Sequence, residues 1–240
     1  MMKMKSEKYL FNSAGTELPA EIVFAQKPLG CLLFLNGGAN IPVREQSYIT
    51  WQEAMAEVGI SSMVFDYRGI EGTGIELGKT SIQTRLEDAR EAVKVLREKQ
   101  PDKPLVLLGV SMGAPIAIEL AYEIHADGLV VVSPAAYSEE AHHKNFGPDF
   151  SEAIRKSNNW VGSPDFQRIQ QFQGWIVVAY GEQDTVVPHE IRESYAEIAM
   201  SKGGVVIAEP VEHSFARLMT PASIEAREKI TEAIKKLLTS

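Results

Sequence analysis

Several short runs dominated by apolar residues recur along the chain: CLLFL (31–35), SSMVFDY (61–67), LVLLGV (105–110), GLVVVS (128–133) and GWIVVAY (174–180). Runs of this length without a polar alternation predict strands covered on both faces. Ahead of them, 7–12 and 17–24 read as two short strands joined by the turn Ser13-Ala14-Gly15, and Pro19 suits the start of an edge strand better than a central one. Between the apolar runs lie helical patterns. Ile82, Leu86, Ala89, Val93 and Leu96 follow one another at steps of four, three, four and three, a single helical stripe. Residues 48–58, 190–200 and 222–238 also read as helices, one more follows LVLLGV at once, and GVVIAE (204–209) is a last strand. Strands alternating with helices predict an α/β fold, a mainly parallel sheet with helices on both faces. One segment breaks the pattern. Residues 137–172 are polar, lack a strand pattern, and carry Tyr137, Phe146, Phe150, Trp160, Phe166 and Phe172. They read as an insertion into a core formed by 1–136 and 173–240.

Composition narrows the partners. The chain of 240 residues is 45% hydrophobic and 23% charged, enough for a sizeable core, and its net charge is −8. No cluster of Lys and Arg offers a nucleic-acid surface. No segment approaches the roughly eighteen apolar residues of a membrane span, nor does the start of the chain hold the apolar stretch of a signal peptide. A cytoplasmic protein is expected. Cys31, the single cysteine, falls inside CLLFL and reads as a small core residue. Three decoys fail on spacing. Gly78-Lys79-Thr80 opens a helix as a phosphate loop does, but Thr73 stands where the first glycine of that loop belongs. His142-His143 lacks further metal ligands nearby and reads as a solvated loop. His189-Glu190-Ile191-Arg192-Glu193 lacks the second histidine of a zinc-protease helix. His125 closes a helix and is expected to face its C-terminal carbonyls.

The informative chemistry is at Gly109-Val110-Ser111-Met112-Gly113, where a buried strand runs directly into a helix. G-x-S-x-G alone is a weak signal, but the strand–turn–helix setting is the one a nucleophilic serine requires. Glycines on both sides leave room for a sharp turn. The turn lifts the hydroxyl out of the sheet and places the Met112 N–H at a helix N-terminus, where negative charge is favoured. A serine hydroxyl needs a base, and the base needs an orienting third group. The strand GWIVVAY ends in Gly181-Glu182-Gln183-Asp184, which offers two carboxylates, and GVVIAE ends in Pro210-Val211-Glu212-His213. Groups at the carboxyl ends of strands in an open α/β sheet converge on one crevice.

With Ser, Asp and His each after its own strand and in that order, the sequence resembles the α/β-hydrolase family along nearly its whole length. The resemblance makes Ser111 in GVSMG the nucleophile, Asp184 in GEQDTVVP the acid and His213 in VEHSF the base, with Glu182 solvated. It places FDYRGIEGTG in the family's loop after the strand that follows the first helix, and Asp88 in the helix before the nucleophile strand. The family's usual His-Gly is here Asn36-Gly37-Gly38, so the oxyanion hole falls to the N–H groups of Gly38 and Met112. Residues 137–172 take the place of a cap, with Trp160 the candidate substrate contact. The activity implied is that of a serine hydrolase cleaving an ester of a small or medium, largely apolar molecule through an acyl-enzyme, with no cofactor and no metal. The same apparatus serves thioesterases, amidases, carbon–carbon hydrolases and acyltransferases, and a non-catalytic binding protein can keep the fold. The implied partner is a small-molecule ester, without nucleic acid or membrane. The residues neither require nor forbid a homodimer.

Overall fold

The computed structural model describes residues 5–38, 42, 48–156 and 158–240. Ala39 and Asn40, which follow the Asn36-Gly37-Gly38 stretch, and Ser157 in the 137–172 segment lie outside them. The strands are β1 (Lys5–Ser13), β2 (Thr16–Phe24), β3 (Gly30–Leu35), β4 (Ile60–Phe65), β5 (Leu105–Val110), β6 (Gly128–Val132), β7 (Trp175–Gly181) and β8 (Val205–Glu209). They form one sheet in the order β1-β2-β4-β3-β5-β6-β7-β8. β1 and β2 pair antiparallel, as do β2 and β4, and every later pairing is parallel. Each expected apolar run is a strand.

The side-chain period of two splits every central strand between two cores. Leu105 and Leu107 of β5, Leu33 and Leu35 of β3, and Leu129 and Val131 of β6 face one side. Val106, Leu108, Leu32, Phe34, Val130 and Val132 face the other. This is why the strands read as continuous apolar runs rather than as alternations. The first face is covered by α2 (Ile82–Lys99), α3 (Gly113–Ile124) and α7 (His189–Ser201), the second by α1 (Tyr48–Glu57) and α8 (Pro221–Leu238). Helices α2 and α8 start on hydroxyl caps: Ser81 accepts the Thr84 N–H, and Thr220 accepts that of Ser223. The Trp51 indole donates to Thr231 Oγ1 and ties α1 to α8.

The expectation for Pro19 needs correction. It lies within β2, opposite Leu10 of β1, and β2 is an interior strand. The missing N–H is tolerated because the β2–β4 ladder spans only Ala20–Val23, with the Asp66 N–H reaching the Pro19 carbonyl at its end.

Between β6 and β7 the 137–172 segment folds into α4 (Glu139–His143), α5 (Pro148–Arg155) and α6 (Pro164–Gln171). Its aromatics pack largely on one another and on the first core. Phe146 meets Phe150 edge-on at 5.0 Å, Tyr137 meets Phe150 at 5.8 Å, and Phe146, Phe150 and Phe172 are buried. The solvated-loop expectation for His142-His143 fails at its first residue. His142 lies on α4 and is buried, with its ring nitrogens 3.6 Å from Asp165 Oδ2 and 3.9 Å from Glu119 Oε2, while His143 is exposed. The apolar Ala141 and Phe146 on either side carry the histidine inward with them. His125 ends α3 in the left-handed conformation, and its backbone N–H, rather than its ring, meets the Ala121 carbonyl. Cys31 is buried, and burial pushes its thiol up to about 11.

Candidate active site

Ser111 stands between the end of β5 and the start of α3 with φ at +52°, a left-handed backbone that a non-glycine residue adopts at a cost. The surroundings enforce it. Its N–H is held by the Val132 carbonyl at 2.9 Å, and its own carbonyl accepts the Ala114 N–H at 2.9 Å. A β-carbon on Gly113 would fall 2.0 Å from the Leu35 carbonyl oxygen, and one on Gly109 would fall 2.5 Å from that of Gly113. The two glycines are therefore required by close approach of backbone to backbone. The elbow is strained, and the strain points the serine outward.

His213 opens a short 3-10 turn after β8, anchored by the buried Phe215 two residues on. Its Nε2 lies 3.0 Å from Ser111 Oγ and its Nδ1 lies 2.8 Å from Asp184 Oδ2. The other carboxylate oxygen of Asp184 accepts the N–H groups of Val186 at 2.8 Å and Val187 at 3.0 Å. Burial alone would raise the Asp184 acid. The hydrogen bonds from His213, Val187 and Val186 outweigh it and hold the carboxyl below its ordinary value, so Asp184 is ionised at neutral pH. Glu182, the other carboxylate of that loop, is exposed. The structure thus brings together three of the expected residues from three strand ends, in a chain carboxylate–imidazole–hydroxyl. Such a chain can take a proton from the serine as it attacks a carbonyl and return it to the leaving group.

Gly38 and Met112 also meet. A β-carbon on Gly38 would be 3.1 Å from Met112 Cε, and Met112 is the first residue of the α3 N-terminus. Asn36, in place of the histidine usual in the resembling family, is buried and donates from Nδ2 to the Phe65 carbonyl at 3.3 Å, tying the loop to the end of β4. Trp160, half-buried, packs its ring edge-on against Phe166 at 6.2 Å, and Phe166 leans on Tyr195.

The supporting roles of Ser133 and Arg192 escape the sequence reading, which names Asp88 by its helix but not by its partners. Ser133, itself at φ +45°, donates from Oγ to the His213 carbonyl at 3.1 Å. Arg192, buried on α7, donates to the Gly181 carbonyl and so braces the loop that carries Asp184. Asp88 accepts from Arg68 at 2.6 Å and from Ser13 at 2.6 Å, which locks the FDYRG loop onto α2. Each is a polar residue on an otherwise apolar face or at a strand end, a signal visible in hindsight only when the sheet order is known.

A mostly parallel eight-stranded sheet with a serine on the elbow after its central strand defines an α/β-hydrolase. Residues 26–164, more than half of the chain, match the family described as serine aminopeptidase, S33, and the chain belongs to that family of serine hydrolases. Curated relatives match over part of the chain. Indigoidine synthase of Streptomyces lavendulae is 31% identical over 105 residues, 41% of this chain and 8% of that protein. An uncharacterised protein of Mycobacterium tuberculosis is 27% identical over 188 residues, 78% of this chain and 62% of that protein. The chain therefore spans less than two thirds of the length of either. Among solved structures, Est1E of Butyrivibrio proteoclasticus bound to ferulic acid superposes with a TM-score of 0.73 at 16% identity, covering 96% of this chain and 98% of that one. A thermostable carboxyl esterase of Bacillus coagulans gives 0.70 at 16% identity, with 99% of both chains covered. Among the described residues no helix is long and apolar enough to cross a membrane.

Proposed function

We propose that the protein is a carboxylesterase acting on small or medium, largely apolar esters through an acyl-enzyme. The observation that carries this reading is the Ser111–His213–Asp184 chain, with hydrogen-bond distances of 3.0 and 2.8 Å, at the carboxyl ends of the strands. In this mechanism Ser111 Oγ attacks the ester carbonyl as His213 Nε2 takes its proton. Ionised Asp184 stabilises the imidazolium and fixes its orientation. The N–H groups of Met112 and Gly38 receive the oxyanion, and the Met112 N–H adds the positive end of α3. His213 returns the proton to the leaving alkoxide, and water, activated by the same imidazole, releases the acid. The 137–172 segment serves as the cap, with Trp160 bordering the acyl site.

The carboxyl esterases among the structural neighbours support ester chemistry, while the family description favours amide cleavage as a second reading. A panel of p-nitrophenyl esters of rising acyl length, beside aminoacyl p-nitroanilides, separates the two. Ester hydrolysis that is lost in Ser111→Ala, with weak anilide cleavage, is expected. Equal rates in Ser111→Ala and wild type would remove Ser111 from the reaction, and faster anilide cleavage would make amides the substrate class.

A further inference from the structure

Arg85 lies in the first turns of α2 and is 1% exposed. A cation there faces the wrong end of the helix dipole, and burial disfavours it further. Its close partners are not carboxylates. The guanidinium is stacked between the Tyr67 and Phe146 rings, 4.9 and 4.7 Å from their centroids. Stacking satisfies its faces but uses none of its N–H donors. Of those donors, Nη1 reaches the Gly37 carbonyl at 2.7 Å and lies 3.9 Å from Met112 Sδ, while Nε is buried without a partner. A guanidinium stays charged even here, so the fold keeps a positive charge with no carboxylate in direct contact beside the two residues expected to hold the oxyanion.

The geometry of the peptide gives that placement a purpose. Gly37 sits against the nucleophile: a β-carbon on it would be 3.3 Å from Ser111 Cβ. The peptide that follows it is trans, so its C=O and N–H point in opposite directions. Drawing the Gly37 carbonyl toward Arg85 turns the Gly38 N–H the other way, away from α2. A charged donor on the carbonyl also polarises the peptide and strengthens its N–H as a donor. We propose that Arg85 is the positioning residue of the oxyanion hole, aiming the Gly38 N–H through the Gly37 carbonyl and adding positive potential where negative charge develops in the transition state. The inference rests on the serine-hydrolase reading of Ser111. Because Phe146 belongs to the 137–172 segment, it also joins the seating of that segment to the state of the hole.

Arg85→Met, which keeps an apolar stem without charge or donors, and Arg85→Lys, which keeps the charge on one donor group, are compared with wild type in the full chain. Two quantities are read: kcat and KM on p-nitrophenyl acetate, and the affinity of an alkyl boronic acid, whose adduct with a serine hydroxyl is an anionic tetrahedron. In Arg85→Met, kcat should fall about 10- to 100-fold, somewhat less than the loss of a direct oxyanion donor. KM should stay within about threefold, boronate affinity should fall in parallel with kcat, and Arg85→Lys should recover part of both. A folded Arg85→Met with wild-type kcat and boronate affinity overturns the inference, as does a rise in KM alone. If Arg85→Met fails to fold, Arg85→Lys decides: parallel losses in kcat and boronate affinity support the role, and wild-type values refute it. The two readings fail separately. A wild type that hydrolyses no ester and leaves Ser111 unlabelled by a fluorophosphonate defeats the esterase, whereas an active wild type indifferent to Arg85 defeats only this proposal.

Discussion

Asp184→Asn is the substitution whose consequence the geometry constrains most. Oδ1 of Asp184 accepts two backbone N–H groups, from Val186 and Val187, and Oδ2 faces His213 Nδ1. An asparagine must keep its carbonyl oxygen at the Oδ1 position, because an amide NH2 there would oppose two donors. Its NH2 then occupies the Oδ2 position and donates to Nδ1. Nδ1 becomes an acceptor, the ring proton moves to Nε2, and Nε2–H faces Ser111 Oγ, from which it can take nothing. The lost charge adds to this. Unit charges about 4 Å apart attract by about 4 kcal/mol at an effective dielectric of about 20, and at about 1.4 kcal/mol per decade this is about three decades of rate. With the tautomer penalty, a fall of 10³ to 10⁴ in kcat is expected, in line with the roughly 10⁴ that the same change costs a serine-protease triad. Steady-state hydrolysis of p-nitrophenyl acetate measures it, with a thermal melt to show that the variant is folded. Glu182→Gln, on an exposed side chain of the same loop, should stay within about twofold of wild type, as ordinary surface changes do. A folded Asp184→Asn retaining more than a tenth of wild-type kcat, or a larger loss in Glu182→Gln, refutes the assignment.

Three further outcomes follow from the same contacts. Gly113→Ala places a β-carbon 2.0 Å from the Leu35 carbonyl oxygen, so it should destabilise the fold by about 3 kcal/mol or more; a melting temperature within a degree or two of wild type would show that the elbow relaxes. Asp184 is held below its ordinary value in the folded chain, so its contribution to stability is present above the unfolded carboxylate value of about 4 and is lost as pH falls through the folded one. The melting-temperature gap between wild type and Asp184→Asn should therefore narrow below about pH 4, and a gap constant down to pH 2 contradicts it. Trp160→Ala should change the discrimination among acyl lengths by roughly 1–3 kcal/mol if the ring borders the acyl site; an unchanged ranking in a folded variant leaves Trp160 with its contact to Phe166 alone.

What the sequence disclosed and what it withheld have one physical origin. β3, β5, β6 and β7 were legible because a strand buried on both faces has no polar position to blur its signal, and Leu105 to Val110 are all buried. Ser111 and Asp184 were legible because each follows such a strand within a few residues, and His213 because it follows β8, a shorter and only half-buried strand at the sheet edge, so the ends of the strands located the chemistry. The 137–172 segment gave no such signal. Its helices run to five and eight residues, too short to display a helical stripe, and His142 is buried by packing against Glu119 and Asp165, partners distant in the chain. Arg85 is the instructive case. Ile82, Leu86 and Ala89 mark the inward face of α2, and Arg85, three residues after Ile82 and four before Ala89, falls on that same face. A cation inside an apolar stripe contradicts the pattern that predicts the helix. Local rules conflict with global burial most often where function demands it. The exception to the stripe therefore points to the Gly37 carbonyl as directly as the glycines around Ser111 point to the tight turn, and Arg192 on α7, buried between Ile191 and Tyr195, repeats the pattern beneath the Asp184 loop.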